Sequence, residues 1–324
     1  MAVDFAHTHG DIVSVMFIGG IPWPEALAGT PYSADVENNF NYRPPRGLKT
    51  FLSISPLSEG RDSLAPYWGV RDNMPLPPGW DEKPLDHPDV INAYSRFSID
   101  AVRRMKPSYL GLAIEANILK SKNPAAWPAF TRLYREARRR VRASFPDLPV
   151  FFTTEVSHYL EMHPEDLNAG QEAAIGDLMK DSDLFAMSLY PYMGYSWPEP
   201  FTATRLDFAL RFKKPIAIAE SGMTSQDVTL PTYGVTLRGT PEKQRDFELE
   251  LFKAGRANNY RFIINFATTD FPGLVAALGG AIGELASIWQ YTGMQTERGV
   301  PKLAQAAWDA EFAKPYRIGK TRGG

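Results

Sequence analysis

The chain has 324 residues, 44% hydrophobic and 22% charged, with a formal net charge of -2 and no cysteine. A chain of this length buries about 75% of the surface its unfolded form exposes, so it needs no covalent staples. The charge makes no electrostatic case for nucleic acid or an anionic membrane, and the missing cysteine excludes a disulfide framework, thiolate metal sites and a cysteine nucleophile.

Met1–Gly10 has no basic segment followed by an apolar stretch, so no signal peptide is expected there, and the compartment stays open. Seven short apolar runs then read as strands: Asp11–Ile18, Leu48–Ser55, Tyr109–Glu115, Val150–Glu155, Leu184–Tyr190, Pro215–Glu220 and Arg261–Phe266. Each is continuous and apolar, as parallel strands buried on both faces are. Helices are expected at Asp89–Met105, Pro124–Ser144, Glu165–Lys180, Thr202–Phe212 and Pro241–Asn258, several of them opened by proline in the first turn. Many of the 27 prolines fall between Pro22 and Pro88, which predicts long, stiff loops at 20–47 and 56–88. The weakly polar run Gly273–Gly283 is too short to span a bilayer.

Strand–helix alternation along the whole chain predicts an α/β fold, a TIM-type (β/α)8 barrel in one domain over 1–324. Gly19-Gly20 leads into Ile21-Pro22-Trp23, which is neither a dinucleotide fingerprint nor a phosphate loop, and no cofactor is expected. Seven strands are one short of a closed barrel. Either Val3–Ala6 is a truncated first strand or the barrel is incomplete, with raw edges beside Asp11–Ile18 and Arg261–Phe266. A short segment from Met1–His7 or a second copy of the chain, making a homodimer, is expected to cover that gap.

Glu115 and Glu220, each the last residue of its strand, stand out as candidate acids. In a parallel barrel an acid directly after an apolar strand emerges at the C-terminal face, where loops build the site. Ser188–Tyr192 ends another strand with two tyrosines: Tyr190 is a candidate to bond a strand-end carboxylate, Tyr192 to line a cleft. Trp23, Trp68, Trp197 and Trp289 lie in loops, available to stack on sugar rings, and Asp270 follows the last strand as a candidate for hydroxyl contacts.

Gly111–Asn117, Ser188–Tyr192 and Lys214–Gly222, with Ile21–Leu27 and Trp289 near Thr292-Gly293, resemble the clan A retaining glycoside hydrolases of the (β/α)8 superfamily. Within it the chain looks nearest to the arabinogalactan endo-β-1,4-galactanases and glycosidase-like barrels near them. The resemblance implies an oligo- or polysaccharide substrate, Glu115 as acid/base on the family's strand four and Glu220 as nucleophile on strand seven. That register makes the first observed strand the family's second. In the family an asparagine precedes the acid/base and holds the sugar 2-hydroxyl. Here Ile114 stands in that place, and Asn117 either substitutes or caps the next helix. Retaining enzymes hold their two carboxyls about 5–5.5 Å apart. At that distance two charges repel by about 3 kcal/mol with an effective dielectric near 20, or roughly two pKa units, which keeps one carboxyl protonated as the acid.

Two other readings compete. A barrel that binds glycans without cleaving them fits Ile114. A metal-dependent amidohydrolase-like enzyme fits His7-Thr8-His9 with His158 and Asp270, although no histidine follows Leu184–Tyr190, where that pattern wants one.

Overall fold

The computed structural model describes residues 2–44, 47–167, 169–193, 197 and 199–315, with side chains from Phe5 onward. The chain falls into two compact units, Ile12–Met187 and Met1–Asp11 with Ser188–Gly324. The boundary passes through one strand.

In the Ile12–Met187 unit the strands are β1 (Ile12–Phe17), β2 (Lys49–Ile54), β3 (Tyr109–Leu112), β4 (Val150–Phe151) and β5 (Thr153–Glu155), followed by β6 (Phe185–Leu189), whose last two residues belong to the other unit. The order β1-β2-β3-β4 is parallel: Phe17 faces Ile54, Ile54 faces Leu112 and Gly111 faces Phe151. Adjacent sequential strands joined by helical crossovers are the barrel pattern. The run predicted as one strand at 150–155 is broken at Phe152 into β4 and β5.

The crossovers carry α2 (Trp23–Ala28), α3 (Ala34–Phe40), α4 (Pro88–Met105), α5 (Asn117–Lys122), α6 (Trp127–Ser144), α7 (Val156–Tyr159) and α8 (Gln171–Leu178), after α1 (Ala2–His9) in the other unit. The stretch at 20–47 is therefore partly helical. The helix expected from Glu165 begins only at Gln171, because Gly170 sits at φ 68°, a left-handed break after the turn Pro164–Asp166. The arginines of α6 face aspartates: Arg135 meets Asp181 at 2.7 Å and Arg138 meets Asp183 at 2.7 Å.

The other unit holds β7 (Ile216–Ser221), the hairpin β8 (Val228–Leu230) and β9 (Val235–Leu237), α9 (Pro241–Asn258), β10 (Ile263–Asn265), α10 (Pro272–Leu278), α11 (Gly280–Ser287) and α12 (Leu303–Phe312). β10 lies parallel to β7. The segment Ala203–Phe212 is a 3-10 helix, not an α-helix. Thr240 caps α9 by accepting from Lys243 N, with Pro241 in the first turn.

Among the described residues, outside the β8–β9 hairpin, seven strand positions are present, counting β4 and β5 as one. β1 and β10 stand at the ends of the sheet orders and are half-buried along most of their length, whereas Thr50–Ile54 of β2 and all of β6 are buried. Val3–Ala6 is not a strand stub: it lies inside α1. Phe5 packs with Met294 and Ala304, its ring stacks on His9 at 4.3 Å, and Trp308 Nε1 donates to His9 O at 2.6 Å. The one-turn spacing of Phe5 and His9 places both on one helical face, which a strand would not do.

Candidate active site

Each unit has its own strand-end constellation. In the Ile12–Met187 unit, β3 leads through Ala113, at φ 113°, to Glu115, at φ 50°. Both are in the left-handed half of backbone space, which costs non-glycine residues about 1–3 kcal/mol each and needs surrounding bonds to hold it. Those bonds are present. Ala113 N donates to Ile54 O at 2.9 Å and Glu115 N to Thr153 Oγ1 at 2.7 Å, while Arg61 Nε donates to Ile114 O at 3.1 Å. Arg61 Nη2 also pairs with Glu115 Oε2 at 3.0 Å, with both side chains largely enclosed.

Asn117 is fully buried, and its amide is used twice on one residue: Nδ2 donates to Glu155 O at 2.9 Å, and Oδ1 accepts from Glu155 N at 2.8 Å. It thus clamps the end of β5 and is turned away from any hydroxyl contact. Ile114 is buried as well.

Glu155 is the residue that sequence reasoning passed over. It ends the apolar run from Val150 as Glu115 and Glu220 end theirs, and the same rule would have found it. Burial, then the charge of Glu115, raises its pKa to about 6; bonds from His158 N at 2.7 Å and Ser157 Oγ at 2.8 Å oppose that shift. Ser157 Oγ also meets His163 Nε2 at 2.7 Å, and His158 Nδ1 meets Asp166 Oδ1 at 2.7 Å. Glu155, His158 and His163 form a group able to hold a metal ion.

Two predicted stacking platforms in this unit are core. Trp23 is 0% exposed, packs on Trp80 at 5.4 Å and donates from Nε1 to Ala65 O at 2.9 Å. Trp68 is buried and donates to Asp35 Oδ2 at 2.6 Å. Burial of indole rings with their N–H groups satisfied welds the two proline-rich loops together and leaves no face for a sugar.

In the other unit Glu220 is the penultimate residue of β7, half-buried between four buried residues and buried Ser221. The Tyr190 hydroxyl donates to Glu220 Oε1. Tyr192 stands edge-on to Tyr190 at 6.2 Å and donates to Ile288 O at 3.0 Å; burial and the Glu220 charge push its pKa well above the ordinary phenol value, so it remains a donor. Trp289 is half-buried, edge-on to Tyr190 at 6.2 Å and to Phe266 at 6.4 Å, and its indole N–H is buried without a hydrogen-bond partner among the described residues. Gly222 makes this crowding possible: a Cβ there would lie 2.9 Å from Phe266 O and 3.1 Å from Tyr190 Cε1.

Three other expectations in this unit take a different form. Asp270 is 4% exposed; Lys302 Nζ sits 2.9 and 3.2 Å from its oxygens and Gly293 N donates to it at 2.9 Å, so it ties α12's approach rather than meeting substrate. Trp197 is buried against Phe201. His7 and His9 lie on α1, and His9 Nδ1 is bound to Asp309 Oδ1 at 2.6 Å. Of the four residues in the amidohydrolase-like set, only His158 belongs to the group able to hold a metal among the described residues, and its companions are Glu155 and His163.

No family model matches the chain, and no curated protein matches it. Among solved structures, a GH5_18 enzyme variant from Streptomyces cattleya in complex with Manβ1-4GlcNAc aligns with TM-score 0.60 at 14% identity, over 96% of this chain and 73% of that one. The GH53 catalytic domain of Ignisphaera aggregans aligns with TM-score 0.58 at 16% identity, over 95% and 87%. A β-D-glucuronidase of Dictyoglomus thermophilum aligns with TM-score 0.54 at 13% identity, over 97% of this chain and 46% of that one. The chain spans less than half the length of the glucuronidases it matches. These neighbours are glycoside hydrolases, and the fold of this chain is the (β/α)8-type barrel they share.

Proposed function

We propose that this chain is a glycoside hydrolase acting on an oligo- or polysaccharide by a retaining mechanism, with Glu220 as nucleophile and Glu115 as acid/base. The observation that carries the reading is Glu220 itself: a half-buried carboxylate at the end of a buried barrel strand, held by the Tyr190 phenol and walled by Tyr192. A donor on one carboxylate oxygen keeps the group ionised and aimed while the other oxygen attacks the anomeric carbon. Trp289, half-buried and edge-on to Tyr190, supplies a further aromatic wall. The resemblance of Gly111–Asn117 and Lys214–Gly222 to the galactanase-like barrels of clan A favours a β-linked polysaccharide.

The test is turnover on a panel of aryl β-glycosides, with the product's anomeric configuration read by NMR. Retained configuration, with a glycosyl adduct trapped on Glu220 and identified by mass, is expected. Inverted product removes Glu220 from the nucleophile's role.

A second reading, a barrel that binds glycans without cleaving them, is favoured by one observation. Arg61 engages Glu115 as an ion pair, which a proton donor must give up, and Ile114 and the clamped Asn117 offer no hold on a 2-hydroxyl. Glycan binding with no turnover across the panel would establish it.

A further inference from the structure

The polar cluster behind β5 has no part in the reaction roles assigned above. Glu155, His158 and His163 each offer one donor atom, and these atoms lie within 4.8 Å of one another. We propose that the three side chains form a binding site for one transition-metal ion of the zinc class.

The local sequence builds the site within one short segment, residues 155–163. Glu155 ends β5 and caps α7, and its Oε2 accepts from both His158 N and Ser157 Oγ. The carboxylate is thereby fixed over the first turn, with Oε1 outside those bonds. His158 follows one turn later. Its Nδ1 meets the fully buried Asp166 carboxylate, which can only accept, so Nδ1 carries the proton and Nε2 keeps a lone pair. Asp166 also accepts from His163 N at 3.0 Å, so one carboxylate places both histidines. The Ser157 hydroxyl has one proton and donates it to Glu155; it therefore accepts from His163 Nε2, which leaves the lone pair on Nδ1, facing the Asp166 N–H of the capping box until the ring turns to an ion. Each ring thus presents one unprotonated nitrogen. A carboxylate behind a ligating histidine fixes its tautomer and orientation, as in known zinc sites. Burial and the neighbouring His158 hold the His163 pKa below its ordinary value, in keeping with a neutral ring.

Two imidazoles and a carboxylate are a borderline donor set that suits zinc, cobalt or nickel and not the hard, all-oxygen preference of calcium or magnesium. Bonds of about 2.0–2.2 Å to a tetrahedral ion put donors about 3.5 Å apart, so the cluster has to tighten by roughly 1 Å. The imidazoles stack at 4.1 Å with 19° between their planes, so an ion shared by both lies outside at least one plane. His163, in the segment between α7 and the turn at Pro164, is the ring that has to rotate. Water or an added ligand completes the fourth position. The site stands whether or not the chain cleaves glycosides.

The experiment uses the full chain after stripping with a chelator. Cobalt is titrated as a spectroscopic probe, and zinc is followed by calorimetry. One equivalent of cobalt with a visible d–d absorption, displaced by zinc, is expected. His163→Ala and His158→Gln should each weaken zinc at least about tenfold, and Asp166→Asn, which touches no ion, should do so to a similar degree. Circular dichroism identifies any variant that has unfolded; half-buried His163→Gln then replaces it. The proposal is overturned if the parent takes up no equivalent of either ion. It is also overturned if folded His163 and His158 variants bind as the parent does, or if His7→Ala alone abolishes binding.

Discussion

Glu115 leaves its strand among charges and Glu220 leaves its strand among rings. The first sits beside Arg61 and in electrostatic reach of Glu155, with two histidines and Asp166 behind. The second meets a phenol, with a second tyrosine and an indole stacked edge-on around it. Charged surroundings hold a carboxylate by ion pairing, whereas aromatic surroundings hold it by a phenol bond and by packing.

The sharpest way to break that contrast is Glu220→Gln. It should lower kcat/KM on a cleaved aryl glycoside by at least about a thousandfold, with circular dichroism unchanged. Near-parental turnover would remove the aromatic constellation from catalysis.

Next in size is the carboxyl that has neither kind of surroundings. Glu248 on α9 is 0% exposed, both its oxygens lack partners among the described residues, and burial raises its pKa to about 8. In the unfolded chain it ionises near about pH 4.3. Between those values the folded state holds the extra proton, so stability is full below the lower value and falls by about 1.4 kcal/mol per pH unit as pH rises toward the upper. Glu248→Gln should flatten that slope and lead the parent by roughly 4 kcal/mol at pH 7, read from urea midpoints at pH 4, 6 and 8. Parallel pH profiles would show that Glu248 is not the source.

Tyr190→Phe removes the donor from Glu220. A bond to a charged group contributes about 1.5–3 kcal/mol, so kcat should fall about tenfold or more with KM little changed, and the acid limb of the pH–rate profile should move to higher pH. A drop confined to KM would make Tyr190 a binding residue. The smallest effect is expected on the charged side. Arg61→Met should cost about 1–2 kcal/mol in urea unfolding, since Arg61 bonds Ile114 O and Glu59 O as well as Glu115. An unchanged midpoint would mean that the ion pair is idle.

The seven strands were readable because continuous apolar runs of this length have few alternatives once helices alternate with them. Glu115 and Glu220 were readable by their place at strand ends, and Glu155 was equally so but uncounted. The tryptophans were not. Whether an indole in a proline-rich loop faces out depends on where the chain returns. Trp23 meets Ala65 and Trp80, and Trp68 meets Asp35. Asn117 misled for the same reason, since its partner Glu155 is 38 residues away. Asp270 looked free for substrate because Lys302, which pairs with it, lies beyond two further helices, α10 and α11. The segment at Val3–Ala6 was read against a strand count; the contacts of Phe5 with Met294 and Ala304, which decide its form, come from the far end of the chain.

The left-handed pair Ala113 and Glu115 bears on how this protein tolerates change. The direction in which position 115 projects is set by the main chain and its bonds to Ile54 and Thr153, before any side-chain rotamer is chosen. Ala113→Gly would relax the conformation and let the exit of β3 wander, so a more comfortable backbone would give a less well-aimed carboxylate. Glu115→Asp would keep the aim and lose the reach. Under the role proposed for Glu115, change at 113 acts on the aim of the carboxylate and change at 115 on its reach, two different properties of the same short arc.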